Sequence, residues 1–160
     1  MIFTDNLRNA EMNIMSMQMN FSDLEYTNRR KKTRREIFLK KMDTLLPWDE
    51  WEELVKPFYP SGSRGRKPQS INRMLRMFML KSWYDLSDLA TEEEIYDSYS
   101  MKQFMKIDFS DREQAPDSTT LCKFRKLLHK HGFDALILQQ FKEILKKNHL
   151  QFRGGVLIQR

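Results

Sequence analysis

Residues that break helices are few in this chain, and they come in groups. The five prolines and five glycines fall at Pro47, between Pro57 and Pro68, at Pro116, at Gly132 and at Gly154–Gly155. Between those points nothing in the backbone chemistry interrupts a helix strongly, and apolar residues recur at helical spacing. Thr33 followed three residues later by Glu36 is a capping box, which predicts a helix from Arg34 to Leu46 with Phe38, Met42, Leu45 and Leu46 on one side and Pro47 as its stop. A short helix from Asp49 places Trp48, Trp51, Leu54, Val55 and Phe58 at helical spacing. Tyr59–Gln69, "YPSGSRGRKPQ", reads as a basic loop. Ser70 then caps a longer helix with a wide apolar face of Ile71, Met74, Leu75, Phe78 and Met79. Ser87–Ser98 is acidic and helical, and Met101–Phe109 is a short amphipathic segment. Pro116 and Asp117 open a further helix that Gly132 closes, and a last helix spans about Phe133 to Asn148. Only Val156–Ile158 reads as a strand. The fold class is all-α, a small domain of about seven helices.

At 160 residues the chain has room for one core-bearing domain with tails. Hydrophobic residues make up 40% and charged ones 31%, and the net charge is +6. A positive balance of that size, with an isoelectric point near 9.4, favours nucleic acid or an anionic membrane surface as partner. No apolar run approaches the roughly 18 residues a membrane-spanning helix needs, and the first residues lack the pattern of a signal peptide. The single cysteine, Cys122, rules out an internal disulfide framework and fits a reducing cytoplasm. Residues 1–28 read as a largely disordered leader.

Positive charge is concentrated in three places. The first is "RRKKTRRE", in which Arg29, Arg30, Lys31, Lys32, Arg34 and Arg35 precede the first acid, Glu36. Such a run repels itself unless an anion screens it, and cations at a helix start oppose the helix dipole. An external polyanion explains it; a localisation signal or a solubilising run is the alternative. The second group is the loop with Arg64, Arg66 and Lys67, continued into the next helix by Arg73 and Arg76. The third lies on "DSTTLCKFRKLLHKHG". There Leu121, Phe124, Leu127 and Leu128 point one way, while Thr119, Lys123, Lys126 and Lys130 line the opposite side. Ser118 at its start offers N–H groups and a hydroxyl of the kind that suits a phosphate. An apolar back, a cationic front and a short preceding turn are what a helix-turn-helix element needs to enter a groove. An ordinary solvated lysine face is the plainer alternative. Three basic groups without an apolar insertion face favour nucleic acid over membrane.

Signals of catalysis are weak. Glu92–Glu94 with Asp88 and Asp97 could suggest a cation site, but consecutive carboxylates on a helix point different ways, so solvated surface is the better reading. Cys122, His129 and His131 lack metal-ligand spacing. Trp48, Trp51, Trp83 and Tyr84 sit at core positions of helices, suited to packing rather than base stacking. No nucleotide-binding glycine loop or serine elbow occurs, and no catalytic residue, metal ligand or cofactor site is assigned.

The segments "FSDLEY", "RRKKTRREIFLKKMDTLLPW", "PFYPSGSRGRKP", "MLRMFMLKSWYDLSD" and "PDSTTLCKFRKLLHKH" together resemble the amino-terminal region of bacterial insertion-sequence transposases of the fifth family, in order and spacing, over about Met15 to Ile158. In that family a helical amino-terminal region is taken to recognise the element's terminal inverted repeats. A ribonuclease-H-like domain follows, whose carboxylates bind two Mg²⁺ ions for strand cleavage and transfer. The resemblance thus implies double-stranded DNA as partner and a place at the bacterial nucleoid. It also implies that Val156–Ile158 is the start of the first catalytic strand, with Gln159 where relatives carry the first catalytic aspartate. Glutamine is a poor Mg²⁺ ligand. The chain therefore reads as truncated and inactive alone: a leader over 1–28, a helical DNA-binding domain over 29–150 and a remnant strand over 151–160. The contrasting expectation is a protein-interaction module that pairs with itself or with full-length transposase through the last helix, where Leu136–Leu138 offers an apolar surface.

Overall fold

The computed structural model describes residues 21–154 and 156–159, in two units that divide between Lys32 and Thr33. In the first unit, helix α1 covers Phe21–Thr27, within the stretch read as leader. Residues 1–20, the rest of that leader apart from Asn28, lie outside the described residues. The Thr27 hydroxyl donates back to the carbonyls of Asp23 and Leu24.

The second unit holds α2 (Arg34–Leu45), α3 (Trp48–Val55) and a 3₁₀ turn at Lys56–Phe58, then α4 (Ile71–Tyr84), α5 (Asp88–Asp97) and α6 (Tyr99–Met105). A second 3₁₀ turn at Phe109–Asp111 precedes α7 (Ser118–Lys130) and α8 (Phe133–Lys147), and the described chain ends in a hairpin of β1 (Leu150–Arg153) and β2 (Val156–Gln159). The starts follow the cap chemistry of the sequence. Thr33, Ser70 and Ser87 each accept the N–H of the residue three positions on, at 3.1 Å, and Asp117 does the same for Thr120 at 2.7 Å. Gly132, with φ +70°, supplies the left-handed residue that separates α7 from α8.

Packing radiates from α4. Every residue from Met74 to Leu80 is buried, and a helix apolar all round must be covered on all sides. The expected apolar face is thus only part of what α4 buries. Helices α3, α5, α6 and α7 pack directly on it, while α2 lies against α6 and β2, and α8 against α7 and β1. A chain of aromatic rings ties these layers together. Trp48 meets Trp51 at 5.5 Å and Phe104 at 5.7 Å, and Trp83 meets Phe104 at 5.6 Å and Phe38 at 4.9 Å. Phe152 of β1 extends the chain to Phe38 and Phe141, at 5.3 and 5.8 Å. The tryptophans are core, as their spacing indicates.

One charge sits inside this layer. Arg76 is 3% exposed. Its Nη2 lies 2.7 Å from Asp43 Oδ1 of α2, its Nε donates to Asn72 Oδ1 at 2.7 Å, and its Nη1 donates to the Phe104 carbonyl of α6 at 3.0 Å. The guanidinium also stands 4.5 Å over the Trp48 ring and 5.0 Å over Phe104. Burying a cation is tolerable only when its donors are paired in this way. Arg73, which the sequence grouped with the loop's cations, donates to the Lys106 carbonyl at 2.9 Å and pairs with Glu113. Both arginines therefore belong to the frame rather than to a basic surface.

Other expectations are corrected at the edges. Phe58 is 48% exposed instead of completing the apolar side of α3, because the chain tightens into a 3₁₀ turn at Lys56–Pro57 and the register is lost. Leu150–Arg153 is a strand as well, paired antiparallel to β2 with Leu150 opposite Gln159 and Arg153 opposite Val156. Leu150 is buried and Phe152 packs against the core, but a segment of only four residues carries too little periodicity to announce a strand. In α8, Ile137 is fully buried and Leu136 is 40% exposed, so the Leu136–Leu138 stretch is split between core and surface.

Removing the Arg76 side chain leaves Asp43 with the more distant Lys106 ammonium, at 3.6 Å, as its cation and opens a void between α4 and α6. Arg76→Ala is expected to lower the free energy of unfolding by about 3 kcal/mol or more, read from urea denaturation. A loss under about 1 kcal/mol would mean that the buried pair is not what joins α2, α4 and α6.

Candidate nucleic-acid interface

Helix α7 divides cleanly into two sides. Leu121, Phe124 and Leu128 are buried against the core, while Thr119, Lys123, Lys126 and Lys130 are exposed. These four extend over about 16 Å at 1.5 Å per residue, and among the described residues none of the three lysines has an ion-pair partner. Arg125 has one. Its Nε and Nη2 form a fork on the Asp88 carboxylate at 2.7 and 2.6 Å, which pins α7 to the start of α5 and holds the Asp88 carboxyl below the usual carboxylate range.

The amino end of α7 is arranged differently from the expectation. The Ser118 N–H, read as open to a phosphate, donates to Glu92 Oε2 at 2.7 Å, and the Thr120 N–H donates to Asp117 Oδ1. Two carboxylates thus occupy the positive end of the helix. The Asp117 carboxyl is held low by its hydrogen bonds from Thr120, with the charges of Arg66 and Lys123 adding to the effect. A short turn before this helix is also absent: Lys106 to Asp117 intervenes after α6. The Ala115 N–H donates to the Tyr96 hydroxyl at 3.2 Å, and Tyr96 stacks on Phe109 at 5.0 Å, which secures that connection to α5.

The basic loop leans toward α7. The Tyr59 hydroxyl donates to the Gln69 carbonyl at 2.8 Å and closes the loop at its base, and burial raises the phenol pKa. The Tyr59 ring meets Phe124 of α7 edge-on at 6.1 Å. Gly62 has φ +70°, and a Cβ there would stand 2.5 Å from Pro68 Cδ, so the loop folds tightly on itself at a point that admits only glycine. Arg64, Arg66 and Lys67 are all exposed. Arg66 and Lys67 share a cleft of about 440 Å³ with Thr120 and Lys123 of α7, with Glu92 and Gln114 among its other lining residues. Two of the three basic groups therefore converge within the second unit.

Of the remaining predicted contacts within the second unit, Arg34 and Arg35 do not line this cleft. Arg29, Arg30, Lys31 and Lys32 belong to the first unit. All four are exposed, and the Arg29 Nε donates to the Tyr26 carbonyl at 3.2 Å with its guanidinium 3.7 Å over the Tyr26 ring. Arg34 is exposed at the start of α2. Arg35 instead turns inward: its Nη1 reaches Glu94 Oε2 at 3.2 Å and Ser98 Oγ at 3.4 Å, and it lies over Tyr84 at 4.9 Å. Burial pushes the Tyr84 phenol up to about 12, with the Arg35 charge opposing. The sequence did not signal the roles of Tyr59, Gln69, Glu92 and Gln114. Glu92 in particular looked like solvated surface, because a contact between α5 and the start of α7 has no local trace. Among the described residues no three of His, Cys, Asp and Glu gather as a metal site requires. No helix among them is long and apolar enough to cross a membrane.

A family model described as "Transposase domain (DUF772)" matches residues 26–127, a span that includes the loop, α5 and most of α7. A transposase-family domain carries a role connected with DNA transposition and with DNA as partner. No solved structure matches the chain.

The Asp88–Arg125 fork makes a pH prediction. A carboxyl with a depressed folded-state pKa stabilises the fold above its unfolded value near 3.9, and that contribution is lost as pH falls through the lower folded value. Asp88→Asn should therefore cost about 1–2 kcal/mol at neutral pH. Its stability should also fall less steeply than that of the parent chain below about pH 4, followed by thermal melts across pH. Parallel acid limbs would show that the fork contributes nothing.

Proposed function

The chain belongs to the transposase domain family DUF772, and from that premise we propose that it is a sequence-specific DNA-binding module that recognises the terminal inverted repeats of an insertion element. The observation that carries this reading is the exposed, unpaired row of Lys123, Lys126 and Lys130 on α7, standing beside the loop cations Arg66 and Lys67. About 16 Å of helix covers roughly five base-pair steps at 3.4 Å each, the length over which a helix follows a major groove before the groove curves away. The loop cations, on this reading, hold phosphates and set register, while Thr119 and the lysines approach base edges. Helix α7, packed on α5 and carried on α4, takes the part of the recognition helix in a helix-turn-helix arrangement whose usual turn is replaced by α6 and the Lys106–Asp117 connection.

A second reading rests on a separate observation. Phe58 lies 4.1 Å from His131 and 5.6 Å from Phe133, and Phe58 and Leu136 are each a little under half exposed. An exposed aromatic group of this kind suits association with another copy of the chain or with a longer transposase. Sedimentation separates the two: a monomer that binds duplex DNA supports the first, and a self-associating chain without affinity for DNA supports the second.

Binding of a labelled duplex containing the element's ends, followed by fluorescence anisotropy, should weaken with salt at a slope of about −5 in log K against log salt. Replacing Arg66 and Lys67 together by Ala should flatten that slope by about 2, and replacing Lys123, Lys126 and Lys130 together by Ala should remove the preference for the ends over unrelated duplex. A salt-independent affinity, or full specificity in the triple variant, would contradict the proposal.

A further inference from the structure

The cleft between the loop and α7 is more than a strip of positive surface, and its shape is fixed before any ligand arrives. The Tyr59–Gln69 bond closes the loop base, the Gly62–Pro68 contact tightens the loop, and Glu92 and Asp117 hold the first turn of α7. Its volume of about 440 Å³ falls in the range of roughly 300–1,000 Å³ typical of small-ligand pockets. A space of that size suits a small ligand rather than a DNA duplex, whose major groove alone is about 12 Å wide. A duplex can lie across its rim but cannot enter.

The chemistry of the lining changes with position. Arg66, Lys67 and Lys123 supply cations, Tyr59, Phe124 and Leu127 supply apolar surface, and Glu92, Asp117 and Gln114 supply acceptors. Glu92 caps α7 through Oε2 and Asp117 through Oδ1, and a carboxylate oxygen accepts more than one hydrogen bond. Cations for a phosphate, an apolar wall for a planar ring and acceptors for an amino group occur together in one ligand class, a single nucleotide whose base bears an exocyclic amine.

We propose that this cleft accepts one unstacked nucleotide of a DNA strand, its phosphate at Arg66, Lys67 and Lys123, its base against Tyr59, Phe124 and Leu127, and its exocyclic amine toward Glu92 and Asp117. The proposal rests on the nucleic-acid reading above and deepens it by naming what the cleft itself takes. Carboxylates accept from the amino group of cytosine, whereas thymine offers carbonyl oxygens there, so the site discriminates cytosine from thymine. An extruded base is accessible at a strand end, a mismatch or a single-stranded stretch, where unstacking costs least, and stacking on aromatic side chains is the usual way such bases are held.

The test uses the full chain with labelled single-stranded oligonucleotides of cytidine alone and of thymidine alone, beside a fully paired duplex, in anisotropy titrations. The cytidine strand is expected to bind at least about fivefold more tightly than the thymidine strand, one good base contact being worth about tenfold. Thr120→Phe fills the cleft from an α7 position without removing any cation. It should abolish that preference and weaken single-strand binding about tenfold, while duplex affinity stays within about twofold. Circular dichroism and a thermal melt confirm that the variant folds. If it does not, Gln114→Trp fills the cleft from the exposed connection and is held to the same criteria. Equal affinity for the two strands, or single-strand binding that survives a folded filling variant, overturns the cleft proposal and leaves the duplex interface standing. Absence of binding to strand and duplex alike overturns both.

Discussion

A guanidinium with almost no exposure, at the centre of the most deeply buried helix, dictates where the neighbouring elements must lie. Arg76 needs acceptors on several sides, and it finds them in Asp43 of α2, in Asn72 one turn earlier on α4 and in the Phe104 carbonyl at the end of α6. Because an unpaired buried cation costs several kcal/mol, any arrangement that moves α2 or α6 away from α4 is penalised. The aromatic faces of Trp48 and Phe104 fill the remaining directions. Hydrophobic burial along Met74–Leu80 makes α4 the centre; the ionic network decides the orientation of what surrounds it.

The distribution of acids follows from the same economy of pairing. Several basic groups that face the frame meet a carboxylate: Arg35 with Glu94, Arg73 with Glu113, Arg125 with Asp88, Lys40 with Glu36. On the acidic helix α5, Asp88, Glu92 and Glu94 serve as internal partners, while Glu93 and Asp97 face solvent. Among the described residues, cations outside these pairs also stand on α2 and α8, at Arg34, Lys142, Lys146 and Lys147, but one set is grouped. Lys123, Lys126 and Lys130 line the outward side of one helix, and Arg66 and Lys67 meet the first of them across a single cleft. Neutralised cations build the domain, and unneutralised ones face outward where a polyanion can reach them.

Much of this architecture was legible in the residues. The helix starts could be placed because Thr33, Ser70, Ser87 and Asp117 cap through their own side chains, a strictly local chemistry. The two sides of α7 could be separated because a single helix fixes the angle between Leu121 and Lys123. Whatever depended on distant contact could not. That Arg76 is buried while Arg66 is exposed follows from α2 and α6 closing over one and not the other, and the two look alike in sequence. Glu92 reaching Ser118 and Arg35 reaching Glu94 each join residues from separate elements. The β1 strand was missed because its partner, not its own pattern, creates it.

The central claim is that DNA is held by the α7 row and the adjoining loop and by no other basic surface of the second unit. Lysine acetylation followed by mass spectrometry, with and without saturating duplex DNA, tests it within one sample. Lys67, Lys123, Lys126 and Lys130 are predicted to become protected, while the exposed Lys142, Lys146 and Lys147 on α8 keep their reactivity. Uniform protection, or protection centred on α8 with the α7 lysines still modified, would contradict the account.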